Sequence, residues 1–130
     1  DIIYISSKNA VLAGPTNIAY SAEKANHPHQ VRLLAVELGE YGVRVNGVAP
    51  DRVVQGSAIF AGEWGADRAA GYGVEEKDLG VFDAQRTLLK REVLPADVAA
   101  VVSTLASDEF SPTTGLIVPV DSGVAAAFQR

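Results

Sequence analysis

The apolar residues of this chain fall into short continuous runs, separated by stretches in which they recur with helical spacing. Residues 1–6, 43–48 and 116–120 form three such runs, whose length and lack of alternation are typical of buried parallel strands. Pro119 cannot donate a hydrogen bond to a neighbouring strand, so the third strand is expected at an edge of the sheet.

Helical spacing is clearest in two segments. A long helix is predicted from about Asn17 to Gly39, and Pro28 inside it should crowd the carbonyl of Lys24 and produce a kink. A second amphipathic helix begins at Pro95. The apolar stripes of the two helices consist of Val31, Leu34, Ala35 and Leu38 in the first, and of Val98, Val101, Val102 and Leu105 in the second.

The remaining segments are less regular. Asn9 and Gly14-Pro15 indicate a loop after the first strand, and the Gly-rich stretch 51–87 predicts two short helices, around 62–70 and 75–85. Strands that alternate with helices in this order predict an α/β fold with right-handed crossovers and a parallel sheet. Three strands are few for such a sheet, and the chain contains no methionine, so we expect residues 1–130 to be part of a longer protein.

Composition narrows the function classes. With 48% hydrophobic and 21% charged residues the chain resembles an ordinary globular domain, and a net charge of −5 argues against nucleic acid as a partner. No apolar run approaches the length of a membrane span. The absence of cysteine excludes disulfides and cysteine-ligated metal, and fits a cytoplasmic location.

The pattern Tyr-x-x-x-Lys occurs twice, at Tyr4/Lys8 and at Tyr20/Lys24. The first pair begins in a strand, where four residues span about 13 Å, so its side chains should not meet. The second pair lies in a predicted helix, where residues i and i+4 share a face. Only Tyr20 and Lys24 are therefore expected to act together.

A tyrosine beside a lysine can serve as a general acid or base. A free phenol has a pKa near 10, so half-ionising it at pH 7 requires about 4 kcal/mol. An ammonium about 4 Å away, at an effective dielectric of about 20, supplies an attraction of that order. Ser7, at the end of the first strand, is placed to hold a substrate oxygen against the phenol.

Three segments together resemble the short-chain dehydrogenase/reductase family. Tyr20 follows Ser7 by thirteen residues and precedes Lys24 by four, as in the active site of that family. Residues 44–50 (RVNGVAP) are similar to its R-V-N-x-V-x-P segment, and residues 114–123 (TGLIVPVDSG) to its final T-G-x-x-x-x-V-D-G-G strand. The matches occur in the right order and cover nearly the whole chain.

The resemblance implies the C-terminal part of a doubly wound Rossmann-type sheet, without the N-terminal nucleotide-binding half of the same domain. It implies an NAD(P)-dependent oxidoreductase of a small alcohol or carbonyl substrate, with NAD favoured over NADP. Tyr20 would be the general acid/base, Lys24 would favour its ionised form, and Ser7 would position the substrate oxygen. Tyr20 and Lys24 would also contact the cofactor, as would Pro50 and Val53 in the loop that meets the nicotinamide carboxamide.

The chain also departs from the family pattern. Asp51 replaces the glycine that usually follows the family's proline, and Gln55 replaces a nearby threonine. None of the twelve glycines forms a phosphate-binding turn, so the residue that selects NAD or NADP is missing too. His27 and His29 point to different faces of a helix, and no metal site is predicted.

A more specific resemblance is to the bifunctional rhamnulose-1-phosphate aldolase/alcohol dehydrogenases. It implies oxidation of lactaldehyde to lactate with NAD, in rhamnose catabolism, by a dehydrogenase domain that follows an aldolase domain. The segments that carry this resemblance are 50–57 (PDRVVQGS), 62–64 (GEW), 86–89 (RTLL) and 126–128 (AAF).

Several alternatives remain open at this stage. The protein could be a different short-chain reductase of the ketoreductase type, or the isolated chain could be an inactive module for oligomerisation, since its long helix resembles the one through which the family forms dimers and tetramers. Sugar-nucleotide epimerases share Tyr-x-x-x-Lys, but the segments 44–50 and 114–123 argue against them. Ser7 could serve only to cap a loop.

Overall fold

A computed structural model of the chain describes residues 1–12 and 17–128, and the predicted loop signal Gly14-Pro15 lies outside them, as does the side chain of Trp64. Three parallel strands form one sheet in the order β1-β2-β3. They comprise β1 (Ile2–Ile5), β2 (Val45–Pro50) and β3 (Ile117–Val120). The predicted parallel α/β architecture is therefore confirmed, and so is the position of β3, with its Pro119, at an edge.

In the part of the chain that the structure describes, four α-helices accompany the sheet: α1 (Ile18–Leu38), α2 (Glu63–Tyr72), α3 (Leu79–Ala84) and α4 (Pro95–Leu105). The predicted helices are confirmed, with one correction to residues 75–85. Glu76–Asp78 form a 3₁₀ turn, and the α-helix begins only at Leu79, because the tighter turn often replaces the first turn of a short helix. None of the helices in the described ranges is long and apolar enough to cross a membrane.

The core is built around the central strand. Every residue of β2 except Pro50 is buried, and both α1 and α4 pack on this strand. Val45 and Val48 of β2 are completely buried, as is Val31 on the predicted apolar stripe of α1. Apart from Asn46, the side chains of β2 are apolar, because α1 and α4 pack on this strand and it is paired on both edges.

Two polar residues, Arg44 just before β2 and Asn46 within it, hold the neighbouring elements in place. The guanidinium of Arg44 donates hydrogen bonds of 2.9 Å to the carbonyl of Leu105, the last residue of α4, and to that of Phe110, in the 3₁₀ turn that follows. The buried Asn46 amide donates to the carbonyl of Thr113 and accepts from the N–H of Leu116, at 2.9 and 3.0 Å. The segment 44–50 therefore fixes α4 and β3 against the central strand.

Candidate active site

The three predicted catalytic residues come from two adjacent elements. β1 ends at Ile5 and Ser7 lies two residues later, while Tyr20 and Lys24 occupy successive turns near the beginning of α1. The site thus lies at the carboxyl ends of the parallel strands, where open α/β sheets bind their ligands.

Tyr20 and Lys24 form one unit on the surface of α1. The Lys24 ammonium lies 5.7 Å from the centroid of the Tyr20 ring, within the range of a cation–π interaction. The tyrosine is 41% exposed, so its phenol is open to a ligand. The prediction that these two side chains share a helical face is confirmed.

Lys24 also connects α1 to the end of β1. Its ammonium donates to the carbonyl of Ile5 at 3.4 Å and pairs with the carboxylate of Glu23 at 3.3 Å. On the main chain, the carbonyl of Lys24 accepts a hydrogen bond from the Ser6 hydroxyl at 3.2 Å. The side chain and the main chain of Lys24 are therefore both hydrogen-bonded to the segment that carries Ser7.

Ser7 is buried, and its hydroxyl oxygen accepts a hydrogen bond of 3.2 Å from the N–H of Asn9. It thereby caps the 3₁₀ turn Lys8–Ala10, which was the alternative role considered for this residue. A hydroxyl that accepts one bond still has its proton to donate. Capping orients the Ser7 oxygen and leaves it able to bind the oxygen of a substrate.

The second Tyr-x-x-x-Lys sequence does not form a unit. The Tyr4 ring packs edge-on against His27, with 5.4 Å between the ring centroids, whereas Lys8 pairs with Asp51 at 3.0 Å. α1 continues through Pro28 without a break, and a kink at this position stays a prediction. In the described part of the chain, no three histidine, aspartate or glutamate side chains are grouped as metal ligands would be.

A buried ionic network lies beside the site and was missed by the sequence analysis. The Asp51 carboxylate pairs with Lys8 and with Arg86, while Asp83 pairs with Arg52 and lies 3.7 Å from Arg86. Both carboxylates are almost fully buried, with 4% and 6% of their side chains exposed. Because the five residues come from three separate segments, only the tertiary structure brings them together.

The network accounts for a departure from the family pattern. Asp51 stands where that pattern has glycine, and its carboxylate links the turn after Ser7 to the segment that holds Arg86. The main-chain N–H of Asp51 also donates to the carbonyl of Val120 at 3.1 Å. Asp51, the second residue of the loop that begins at Pro50, thus fixes this loop through both its side chain and its main chain.

The residues at this edge fit one end of a nicotinamide cofactor. Pro50 ends β2 and Val53 follows in the loop, and both are partly exposed. The Lys24 ammonium lies at the same edge, where it donates to the Ile5 carbonyl, and an ammonium has three N–H donors with which it could also bind ribose hydroxyls. No glycine turn in the sequence could receive the cofactor's phosphates, so the fit is limited to the nicotinamide end.

Comparison with known proteins places this geometry in context. Residues 1–125 match the family model described as enoyl-(acyl carrier protein) reductase. Over 129 residues the chain is 44% identical to YuxG of Bacillus subtilis (strain 168), an uncharacterised oxidoreductase. The matched region comprises 99% of this chain but 19% of YuxG. It is 33% identical over 123 residues to versicolorin reductase 1 of Aspergillus parasiticus, of which it covers 46%. The chain thus spans less than half the length of these relatives.

Solved structures show the same fold. A short-chain dehydrogenase family protein from Francisella tularensis superposes with a TM-score of 0.83 at 26% identity, over 96% of this chain and 50% of that protein. Sorbitol-6-phosphate 2-dehydrogenase SrlD from Erwinia amylovora superposes with a TM-score of 0.81 at 25% identity, over 95% and 48%.

Proposed function

The chain belongs to the short-chain dehydrogenase/reductase family, and on this basis we propose that the complete protein is an NAD(P)-dependent oxidoreductase of small alcohols or carbonyl compounds. The observation that carries the proposal is the position of the Lys24 ammonium. It lies between the Tyr20 ring, at 5.7 Å from its centroid, and the Ile5 carbonyl, at 3.4 Å. This arrangement places a charged group, a phenol and the Ser7 hydroxyl at the carboxyl edge of one sheet.

Each side chain has a distinct role in the proposed reaction. In alcohol oxidation, the ionised Tyr20 oxygen accepts the hydroxyl proton of the substrate, and in the reverse direction the phenol returns it. Lys24 favours the ionised phenol through its positive charge. Ser7 donates its hydroxyl proton to the substrate oxygen and so holds that oxygen near Tyr20. A bound nicotinamide cofactor supplies the hydride chemistry.

The cofactor contacts proposed for this chain are those of the nicotinamide end. Tyr20 and Lys24 would face the nicotinamide ribose, and the loop with Pro50 and Val53 would face the carboxamide. We propose that a segment outside these 130 residues, the N-terminal half of the same domain, holds the phosphates and determines the preference for NAD or NADP. NAD is favoured by the family resemblance.

Two features support a more specific proposal, in which the complete protein is a bifunctional aldolase/dehydrogenase that oxidises lactaldehyde. The identity to YuxG, 44%, exceeds the 33% found for versicolorin reductase 1. The chain covers 19% of YuxG but 46% of that reductase, so YuxG is more than twice as long. The additional length is sufficient for a further domain.

A second candidate is a ketoreductase without an aldolase domain. Several relatives at 33–34% identity are versicolorin reductases, and the chain covers 46% of each. These reductases have the length of a single dehydrogenase domain, which supports the ketoreductase. The greater length of YuxG supports the bifunctional protein instead.

We also propose that the protein self-associates through α1. This helix exposes several apolar side chains, of which Ile18 is 85% and Val36 is 84% exposed, with Leu33 at 49%. Burial of such a surface removes apolar area from water, which favours association. Light scattering of the complete protein should show a dimer or tetramer, and Val36→Glu should weaken it; a monomer in both cases would contradict the proposal.

The function is tested with the complete protein that contains this chain. We expect absorbance changes at the nicotinamide band with lactaldehyde and NAD, and weaker turnover with NADP. Faster reduction of bulky ketones than oxidation of lactaldehyde would favour the ketoreductase, and an aldolase sequence ahead of the domain would favour the bifunctional protein. Absence of NAD(P)-dependent turnover with every alcohol and carbonyl compound tested would reject both.

A further inference from the structure

We propose that Ser6 is a positioning residue for Lys24, in a role that Pro28 makes necessary. The inference rests on the proposed function, because positioning concerns the lysine that would assist Tyr20. It starts from the hydrogen bond of 3.2 Å that the Ser6 hydroxyl donates to the main-chain carbonyl of Lys24. This bond joins the end of β1 to the turn of α1 that carries the Tyr20/Lys24 unit.

Pro28 explains why a serine hydroxyl is used here. In a regular α-helix, the carbonyl of residue i accepts from the N–H of residue i+4, and the partner of Lys24 in that pattern is Pro28, which has no N–H. A buried carbonyl without a donor is unfavourable. The Ser6 hydroxyl supplies the donor from outside the helix.

The surroundings of Ser6 make its position well defined. Ser6 is 5% exposed, and its own N–H donates to the carbonyl of Val48 at 2.8 Å, which continues the pairing of β1 with β2. The main chain of Ser6, which carries the hydroxyl, is therefore fixed to β2, the most buried strand of the sheet. The main-chain carbonyl of Ile5, the residue before Ser6, accepts a hydrogen bond from the Lys24 ammonium at 3.4 Å. One short segment therefore holds both the side chain and the main chain of the lysine.

Removal of the Ser6 hydroxyl should consequently affect the lysine more than the fold. In Ser6→Ala, we expect kcat to fall about three- to tenfold while KM for the alcohol changes little, which corresponds to the loss of one ordinary hydrogen bond. A merely structural role would reduce the fraction of folded protein and leave kcat per active site, determined by titrating the sites with cofactor, at the wild-type value.

A double-mutant cycle with Pro28 isolates the proposed cause. Pro28→Ala returns an N–H to the helix, so Ser6→Ala should cost less than about twofold in kcat when combined with it. Ser6→Thr keeps the hydroxyl and should retain most of the activity. Ser103→Ala, at an exposed position on α4, is the matched control and should leave kcat unchanged.

The measurements are made on the complete protein, with the unfolding temperature of each variant recorded in parallel. Equal losses from Ser6→Ala with and without Pro28→Ala would overturn the inference, as would a wild-type kcat per active site in Ser6→Ala. The same double-mutant cycle, measured in unfolding temperature, does not depend on activity. It therefore separates the positioning role of Ser6 from the proposed dehydrogenase function. Coupling between Ser6 and Pro28 in a protein that never turns over NAD(P) would reject the dehydrogenase and the positioning role together, and active protein without coupling would reject the positioning role alone.

Discussion

Lys24 and Ile5 meet across the junction of helix and sheet, where the lysine ammonium donates to the isoleucine carbonyl at 3.4 Å. Nineteen residues separate the two positions in the chain. The contact places a positive charge one residue away from the Ser6-Ser7 pair, and the same charge lies over the Tyr20 ring.

Lys24→Met should slow alcohol oxidation at neutral pH by about 100-fold, because the variant lacks the positive charge beside the phenol that transfers the proton. The measurement is kcat of the complete protein. Lys77→Met is the control, since Lys77 is 72% exposed on a turn. Turnover by Lys24→Met close to that of Lys77→Met would contradict this role for Lys24.

Tyr20→Phe should lower kcat by about 100- to 10,000-fold, because the variant retains the ring but cannot transfer a proton. The affinity for the cofactor, measured by fluorescence titration of the complete protein, should change much less. Tyr41→Phe removes a hydroxyl from a side chain that is 72% exposed and should have no effect. Comparable turnover by Tyr20→Phe and wild type would rule out Tyr20 as the acid/base.

The sequence predicted those parts of the structure that depend on local patterns. β2 and the stripe of α1 around Val31 follow from hydrophobic spacing. Pro119 predicted the edge position of β3, because a residue without an N–H cannot donate a hydrogen bond to a neighbouring strand. Tyr20 and Lys24 could be paired because four residues of helix bring side chains together.

Contacts between distant segments were beyond that reasoning. Asp51 was noted only as a departure from a family pattern, although its carboxylate pairs with Lys8 and Arg86 across 43 and 35 residues of chain. The donation by Ser6 to the Lys24 carbonyl was also missed, although the effect of Pro28 on that carbonyl was anticipated. Periodicity reports which face of an element is buried and carries no information about the partner of a polar side chain.

Asp51→Asn should destabilise the complete protein by about 3 kcal/mol, because it leaves two cations beside a buried position without their counter-charge. The carboxylate is only 4% exposed, so water cannot replace it. Chemical denaturation of the two proteins gives the difference in unfolding free energy. Asp108→Asn changes an exposed aspartate in the same way and should lie within about 0.5 kcal/mol of wild type. Equal stability of the two variants would show that the network contributes nothing.

Asp97 should make the stability of α4 depend on pH in the acid range. Its carboxylate accepts a hydrogen bond of 2.9 Å from the N–H of Leu94 at the start of the helix, and this bond, with help from Arg91, lowers the pKa of Asp97. A carboxyl group whose pKa is lowered by folding stabilises the protein above its unfolded pKa, and the contribution is lost as pH falls through the folded value.

Asp97→Ala should therefore unfold at a lower temperature than wild type at pH 6, and the difference should shrink as pH falls below about 4. Thermal scans across this range provide the measurement, with Asp108→Ala as the exposed control. A difference that is the same at pH 6 and pH 3 would show that the ionised carboxylate is not what stabilises the helix.

The 130-residue chain alone should neither bind NAD tightly nor catalyse its reduction. Its glycines do not have the sequence spacing of a phosphate-binding turn, and β1, which pairs only with β2 within the described residues, has Ile2 and Ile5 at 37% and 49% exposure. The proposed contacts from Tyr20, Lys24, Pro50 and Val53 hold only the nicotinamide end, whereas the phosphates are the part of the cofactor that a helix terminus and glycine turn recognise. Calorimetric titration of the purified chain with NAD and NADH should show no saturation at concentrations that saturate the complete protein. Turnover of NAD by the isolated chain would mean that these 130 residues hold the whole cofactor, and would require a phosphate site built without the glycine turn.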